Sequence, residues 1–169
     1  MKHKKALILV DMQNYFLKNM QKEVRRELIQ NQQEIVKECV KKNIPIIELE
    51  YKCLGVFRGH TVADIQKEVS KGNFILVEKE NNSGFTNTRL HETLRSLGVK
   101  ELILIGINAN GCVQDTAIAA LHRKYKVTTA SDVIASVYRS DIDLSPQNKK
   151  WFKSNTRFLD SGDELKKVL

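Results

Sequence analysis

An apolar run of strand length, Glu101–Leu102–Ile103–Leu104–Ile105, is cut short by Gly106 and gives way within a few residues to helical periodicity. Val113, Ala117, Ala120 and Leu121 place apolar groups at helix spacing. The chain therefore leaves a buried strand, turns sharply through Gly106–Ile107–Asn108–Ala109–Asn110–Gly111, and enters a helix at Cys112. A thiol at a helix N-terminus faces the positive end of the helix dipole, which favours the thiolate. The free N–H groups of the same first turn could hold an oxyanion. A buried structural cysteine in a strand–helix connection is the other reading, because free cysteine is among the most buried residue types.

The same alternation runs through the whole chain. Apolar or strand-prone runs lie at Ala6–Val10, Ile44–Leu49, Asn73–Val77, Glu101–Ile105, Lys126–Ala130 and Thr156–Leu159. Between them, one helical pattern runs from Leu17 through Val40 to a stop at Asn43, and a short one covers Val62 to Val69. A third, marked by Leu90, Leu94 and Leu97, ends where Gly98 suits a left-handed cap. Asp143–Leu144–Ser145–Pro146 has the composition of a helix start, with Ser145 as cap and Pro146 in the first turn. Glu50 to Gly59 is mixed in character and reads as a loop. Strands alternating with helices predict an α/β fold with a mainly parallel sheet covered on both faces. No repeat, linker or low-complexity tract divides the 169 residues, so a single domain over 1–169 is expected.

Composition excludes more than it selects. Cys39, Cys53 and Cys112 are odd in number and widely spaced, unlike a disulfide framework. With the short apolar run after Met1–Lys5, which is no signal peptide or membrane span, they lead to an expected cytoplasmic location. The net charge of +8 comes from cations interspersed with acids, as in Lys22–Glu23–Val24–Arg25–Arg26–Glu27. That pattern makes a solvated surface and predicts neither a nucleic-acid nor a membrane partner.

In open parallel sheets, ligands bind beyond the carboxyl ends of the strands, where the strand order reverses. Asp11 ends the first strand, Lys79 follows the third and Cys112 follows the fourth, so all three fall on one edge of one sheet. In a 3-2-1-4-5 type of order the first and fourth strands are neighbours, which puts Asp11 beside Cys112. A carboxylate can take the thiol proton and return it to a leaving amine. An ammonium beside them stabilises both anions. No G-x-G-x-x-G, P-loop, G-x-S-x-G elbow or C-x-x-C is present, which argues against dinucleotide, nucleotide, serine-hydrolase and thiol-redox chemistry.

Asp11–Met12–Gln13 with Phe16 resembles the opening motif of the isochorismatase-like cysteine hydrolases, a superfamily that includes nicotinamidases and N-carbamoylsarcosine amidohydrolases. Lys79 followed by Ser83–Gly84–Phe85, Thr88 and Leu90 is similar to their second motif. Gly106 to Cys112–Val113, then Thr116–Ala117 and Ala120, is similar to their third, and Val127 to Asp132 to the strand that follows. The likeness runs from about Ala6 to about Ser136. It implies a Rossmann-like three-layer sandwich with a six-stranded sheet of order 3-2-1-4-5-6. It also implies a triad of Asp11, Lys79 and Cys112, a cis peptide at Ile107–Asn108, an oxyanion hole from the N–H groups of Asn108 and Cys112, and a homo-oligomer.

The departures narrow the activity. Nicotinamidases resemble one another in an Asp-x-His pair after the second strand and a later His, which bind a metal. Here Glu48–Leu49–Glu50–Tyr51–Lys52 stands there, a lysine falls about where a ligand should be, and His60 is alone. No metal and no other cofactor is therefore expected. Isochorismatases that cleave a vinyl ether typically lack the cysteine, so Cys112 argues against that reaction. The expected function is hydrolysis of a small amide or carbamoyl compound through a thioester, with Phe16 and the loop Leu54–Gly59, Phe57 included, as substrate walls. The alternative is a binding or interaction module that keeps the fold without turnover.

Overall fold

The computed structural model describes residues 4–53, 56–137 and 144–169, the side chains of Cys53 and Phe57 excepted. Strand β1 (Lys5–Val10) is apolar and buried from Ala6 onward, as a strand covered on both faces must be. It pairs in parallel with β2 (Ile46–Cys53) on one side, and β3 (Val56–Phe57) runs antiparallel to the end of β2. Strand β4 (Phe74–Lys79) extends the sheet beyond β2. On the other side of β1 come β5 (Glu101–Ile107) and β6 (Lys126–Ala130). The two-residue β7 (Ile134–Ala135) pairs with the end of β5, and β8 (Arg157–Leu159) closes the row beside β6. The six longer strands thus run β4-β2-β1-β5-β6-β8, all parallel. Numbered among themselves, they have the order 3-2-1-4-5-6 that the resemblance implied.

Helices α1 (Asn14–Leu17), α2 (Lys22–Lys41), α3 (Ala63–Val69), α4 (Leu90–Ser96), α5 (Cys112–His122), α6 (Pro146–Asn155) and α7 (Gly162–Val168) flank the sheet on both sides. Helix α2 turns Val24, Leu28, Ile35, Val36 and Cys39 inward and packs with α3 and α7. Gly98 closes α4 at φ 75°. The Ser145 hydroxyl accepts from the Asn148 N–H at 3.3 Å and Pro146 opens α6 as expected, while Asp143 lies outside the described residues.

Two expectations need correction. The single helix from Leu17 to Val40 is two, because Gln21 takes extended dihedrals (φ −56°, ψ 140°) between α1 and α2. Met20 stays buried across the break, so the apolar periodicity hides it. Glu50 to Gly59 is not all loop: β2 continues to Cys53 and β3 folds back on it. The carboxylate of Glu50 disguises the continuation of a strand that buries it, and the Thr61 N–H donates to Glu50 Oε1 at 2.9 Å. Helix α7 and the short β7 gave too little periodic signal to be read.

Candidate active site

The site stands at the carboxyl ends of β1, β4 and β5. Val10 is in register with Gly106, where the two backbones approach so closely that a Cβ on Gly106 would stand 2.2 Å from the Val10 carbonyl oxygen. Gly106 adopts φ 130°, which L side chains rarely allow. The residue after Val10, Asp11, takes the left-handed conformation (φ 52°) that Asp tolerates better than most, and its N–H bonds to the Leu49 carbonyl at 3.0 Å. Strand β4 delivers Lys79 in register with Tyr51.

Lys79 Nζ donates to Asp11 Oδ2 at 2.9 Å, with the two side chains 0% and 4% exposed. The ammonium also donates to the Asn81 carbonyl at 3.1 Å and lies 4.5 Å from the centroid of the Tyr51 ring. A buried charge needs such enclosure, since each ion loses its water. The other carboxylate oxygen, Asp11 Oδ1, is buried and has no hydrogen-bond partner among the described residues.

Cys112 is the first residue of α5. The turn before it is clamped from the side by β7 and the residues after it. Ala109 N–H donates to the Ala135 carbonyl at 2.9 Å, Val137 N–H to Asn108 Oδ1 at 3.0 Å, and the Ser136 hydroxyl to Asn110 Oδ1 at 2.8 Å. The Asn108 carbonyl accepts from Gly111 and Val113 N–H at 3.0 and 3.1 Å. No protein acceptor takes the N–H of Asn108 or Cys112 among the described residues. The Ile107–Asn108 peptide is cis. Thr116, one turn into α5, accepts from the Gly84 N–H at 2.9 Å and so ties the helix to the turn after β4.

Asp11, Cys112, Asn108, Phe16, Tyr51 and Asn82 line a cavity of about 220 Å³. Five residues singled out from sequence are thus brought into one place: the three proposed as catalytic, with Asn108 and Phe16. The side chain of Phe57 lies outside the described residues. Tyr51 and Asn82 were missed. Tyr51 sat in a segment read as loop, though pairing the second and third strands would have set it opposite Lys79. Asn82 Oδ1 lies 3.8 Å from Cys112 Sγ, and nothing in the polar run Glu80–Asn81–Asn82 marks it out.

One electrostatic expectation is reversed. The helix N-terminus was to favour a thiolate, yet the Cys112 thiol is pushed up to about 12, first by burial and then by the negative charge of Asp11, with Lys79 opposing. The dipole term is worth about a kilocalorie per mole, less than the loss of solvation for a buried anion. Burial likewise raises Asp11 against the pull of Lys79. The resting state therefore carries a protonated thiol beside a carboxylate made more basic by its surroundings.

The residues at the end of β2 do not fit a metal. Lys52 pairs with Glu78 at 2.6 Å, and the buried Glu50 already accepts from Thr61 N–H and lies 3.3 Å from His60 Nδ1. No group of three or more His, Cys, Asp or Glu that could hold a metal lies among the described residues.

An α/β sheet of this order, with an acid, an ammonium and a thiol meeting at its switch point, defines a class that comparison makes specific. Residues 5–152 match the Isochorismatase domain family, and the chain belongs to it. Nicotinamidase 3 of Arabidopsis thaliana is 28% identical over 149 residues, which are 78% of this chain and 73% of that protein. A ureidoacrylate amidohydrolase of Agrobacterium fabrum is 41% identical over 51 residues, spanning 30% of this chain and only 22% of that enzyme. Among solved structures, N-carbamoylsarcosine amidase of Thermoplasma acidophilum superposes with a TM-score of 0.80 over 95% of this chain and 98% of that one, at 22% identity.

Proposed function

We propose that this single domain is a cysteine-dependent amidohydrolase acting on a small amide or carbamoyl compound, with Asp11, Lys79 and Cys112 as its catalytic residues. The observation that carries the reading is the buried Lys79–Asp11 pair, 2.9 Å apart, whose Asp11 lines one cavity with Cys112. The relatives named for a nicotinamidase, an N-carbamoylsarcosine amidase and a ureidoacrylate amidohydrolase activity act on C–N bonds and support it.

Asp11 takes the thiol proton as Sγ bonds to the carbonyl carbon. The transfer accompanies attack rather than preceding it, because the thiol is a weak acid where it stands and a free thiolate is costly there, while burial makes the Asp11 carboxylate a better acceptor for the proton. The electron pair moves to the carbonyl oxygen, which the unpaired N–H groups of Asn108 and Cys112 can hold. Asp11 returns the proton to the departing nitrogen, the C–N bond breaks, and a thioester remains. Water then gives a proton to Asp11 and its oxygen attacks the thioester carbon. Collapse releases the carboxylic or carbamic acid, and the proton held by Asp11 returns to Sγ. Lys79 keeps Asp11 in place through its hydrogen bond to Oδ2. Phe16 and Tyr51, edge to face at 6.0 Å between centroids, form an apolar corner for the substrate.

The test is ammonia release from a panel of small amides, carbamoyl and ureido compounds, nicotinamide included. Turnover should survive a chelator. Cys112→Ala should bring it to background, a loss on the order of 10^3-fold or more, as in other nucleophile deletions. Retention of more than a few per cent by folded Cys112→Ala would overturn the mechanism.

A further inference from the structure

Gln32 lies in the middle of α2, on the inward face that also carries Leu28, Ile35 and Val36, and is 0% exposed. Burying an amide in an apolar layer is costly unless its atoms are paired. Only half of this one is. Its Nε2 donates to the Val133 carbonyl at 2.9 Å, while Oε1 is buried and has no hydrogen-bond partner among the described residues. A methionine would fill the same space without an orphaned oxygen. The half-buried Asn31 beside it donates from Nδ2 to the Asp132 carbonyl at 3.1 Å. Two adjacent amides of one helix thus grip two successive carbonyls of the turn between β6 and β7.

That turn leads directly to the proposed oxyanion donor. The Val133 carbonyl accepts the Gly106 N–H at 3.0 Å as well as the Gln32 amide. Strand β7 then sets Ile134 opposite Gly106 and Ala135 opposite Ile107, and its flank holds the side chain of Asn108 through Val137 N–H. Among the described residues β7 is two residues long and has one strand partner, β5. So short a ladder holds its place poorly by itself. The helical layer, through Gln32, supplies a second anchor at its first link.

We propose that Gln32 is a positioning residue for hydrolysis: by holding the Val133 carbonyl it fixes β7, and through β7 it fixes the Asn108 N–H where the oxyanion forms. This rests on the amidohydrolase reading. An oxyanion donor acts on the transition state and not on the bound substrate, so a slack donor lowers kcat and leaves KM nearly alone.

The decisive variant is Gln32→Met, which nearly keeps the volume and leaves the Val133 carbonyl its bond from Gly106. Ile35→Val, about one turn along the same buried face, is the control for packing alone. On an amide that the wild type hydrolyses, Gln32→Met should lose about 10–100-fold in kcat with KM nearly unchanged, the scale of a misplaced oxyanion donor. Its urea midpoint should equal or exceed that of the wild type, because the orphaned oxygen has gone. Ile35→Val should lose stability and keep its kcat. Iodoacetamide alkylation of Cys112, which builds no oxyanion, should be unaltered in both. Amide hydrogen exchange over residues 104–113 should be faster in Gln32→Met than in the wild type, and unchanged over residues 5–10. Should Gln32→Met not fold, Asn31→Ala should show the same signs more weakly, and their absence there refutes the brace. An unchanged kcat, an equal fall in alkylation, or unaltered exchange over 104–113 would overturn the proposal. If the wild type releases ammonia from no amide, the hydrolase reading fails, and the exchange comparison alone decides whether Gln32 holds the turn.

Discussion

Asp11 is both the counter-ion of Lys79 and the nearest negative charge to the thiol, and these two duties pull its neighbours in opposite directions. Its charge is the second cause, after burial, of a Cys112 thiol held at about 12, whereas Lys79 lowers that thiol. Nucleophile ionisation and catalysis should therefore come apart on mutation. In Asp11→Asn the midpoint of the iodoacetamide alkylation profile should move to lower pH, because a negative neighbour has gone. Amide hydrolysis should meanwhile fall by about 10^2–10^4-fold, the usual worth of a positioned base. Lys79→Ala should move the same midpoint upward. Because the wild-type midpoint of about 12 lies above a workable range, alkylation rates at fixed pH between 8 and 10 on the folded variants check both signs, a lower midpoint giving a faster rate; a slower rate in Asp11→Asn would mean that the carboxylate does not face the thiol in solution.

At the scale of elements, the site depends on how closely β1 and β5 approach. A methyl at Gly106 would meet the backbone of Val10, at 2.2 Å from its carbonyl oxygen and 2.7 Å from its nitrogen, and backbone in a central strand cannot yield. The φ of 130° adds strain of its own. A methyl at Gly84 would meet Leu49 Cδ1 at 2.4 Å, the end of a side chain that can change rotamer. Gly106→Ala should therefore cost at least about 4 kcal/mol or abolish folding, and Gly84→Ala about 1–3 kcal/mol, the range for overpacking a core. Urea unfolding of both variants ranks them; a Gly106→Ala protein as stable as Gly84→Ala would contradict the close approach. The two-residue β7 and its flank have a different task. Through Ala135, Ser136 and Val137 they hold Asn108, Ala109 and Asn110 by hydrogen bonds from outside the loop, so the turn that carries the proposed oxyanion donor Asn108 is fixed by a segment distant in sequence.

Over the whole molecule, one sheet carries one continuous core, from β4 at one edge to β8 at the other. The proposal of a single domain has a direct consequence. Trp151, the only tryptophan, sits in α6, and its neighbour Phe152 stacks on Phe158 of β8 at 5.9 Å between centroids. Its fluorescence reports the β8 edge, and far-UV circular dichroism reports all helices and strands. The two urea transitions should coincide, as for one cooperative unit. Separate midpoints would show that the C-terminal edge unfolds independently.

The order of the six longer strands was implied by the family resemblance of the motifs; the sequence by itself determined the alternation of strands and helices and the placement of Asp11, Lys79 and Cys112 at one sheet edge. These follow from local rules: apolar runs of two periods, turn residues at strand ends, and the habit of parallel sheets to bind at their carboxyl ends. The stretch that begins at Glu50 defeated those rules, because the Glu50 carboxylate is buried against Thr61, eleven residues on, and no local pattern predicts that. Tyr51 and Asn82 entered the site only through register and proximity, Tyr51 opposite Lys79 across β2 and β4, Asn82 beside Sγ. The thiol's protonation was decided by tertiary structure alone. A helix N-terminus can be read from sequence, but the desolvation and the facing carboxylate that outweigh it are properties of the packed site.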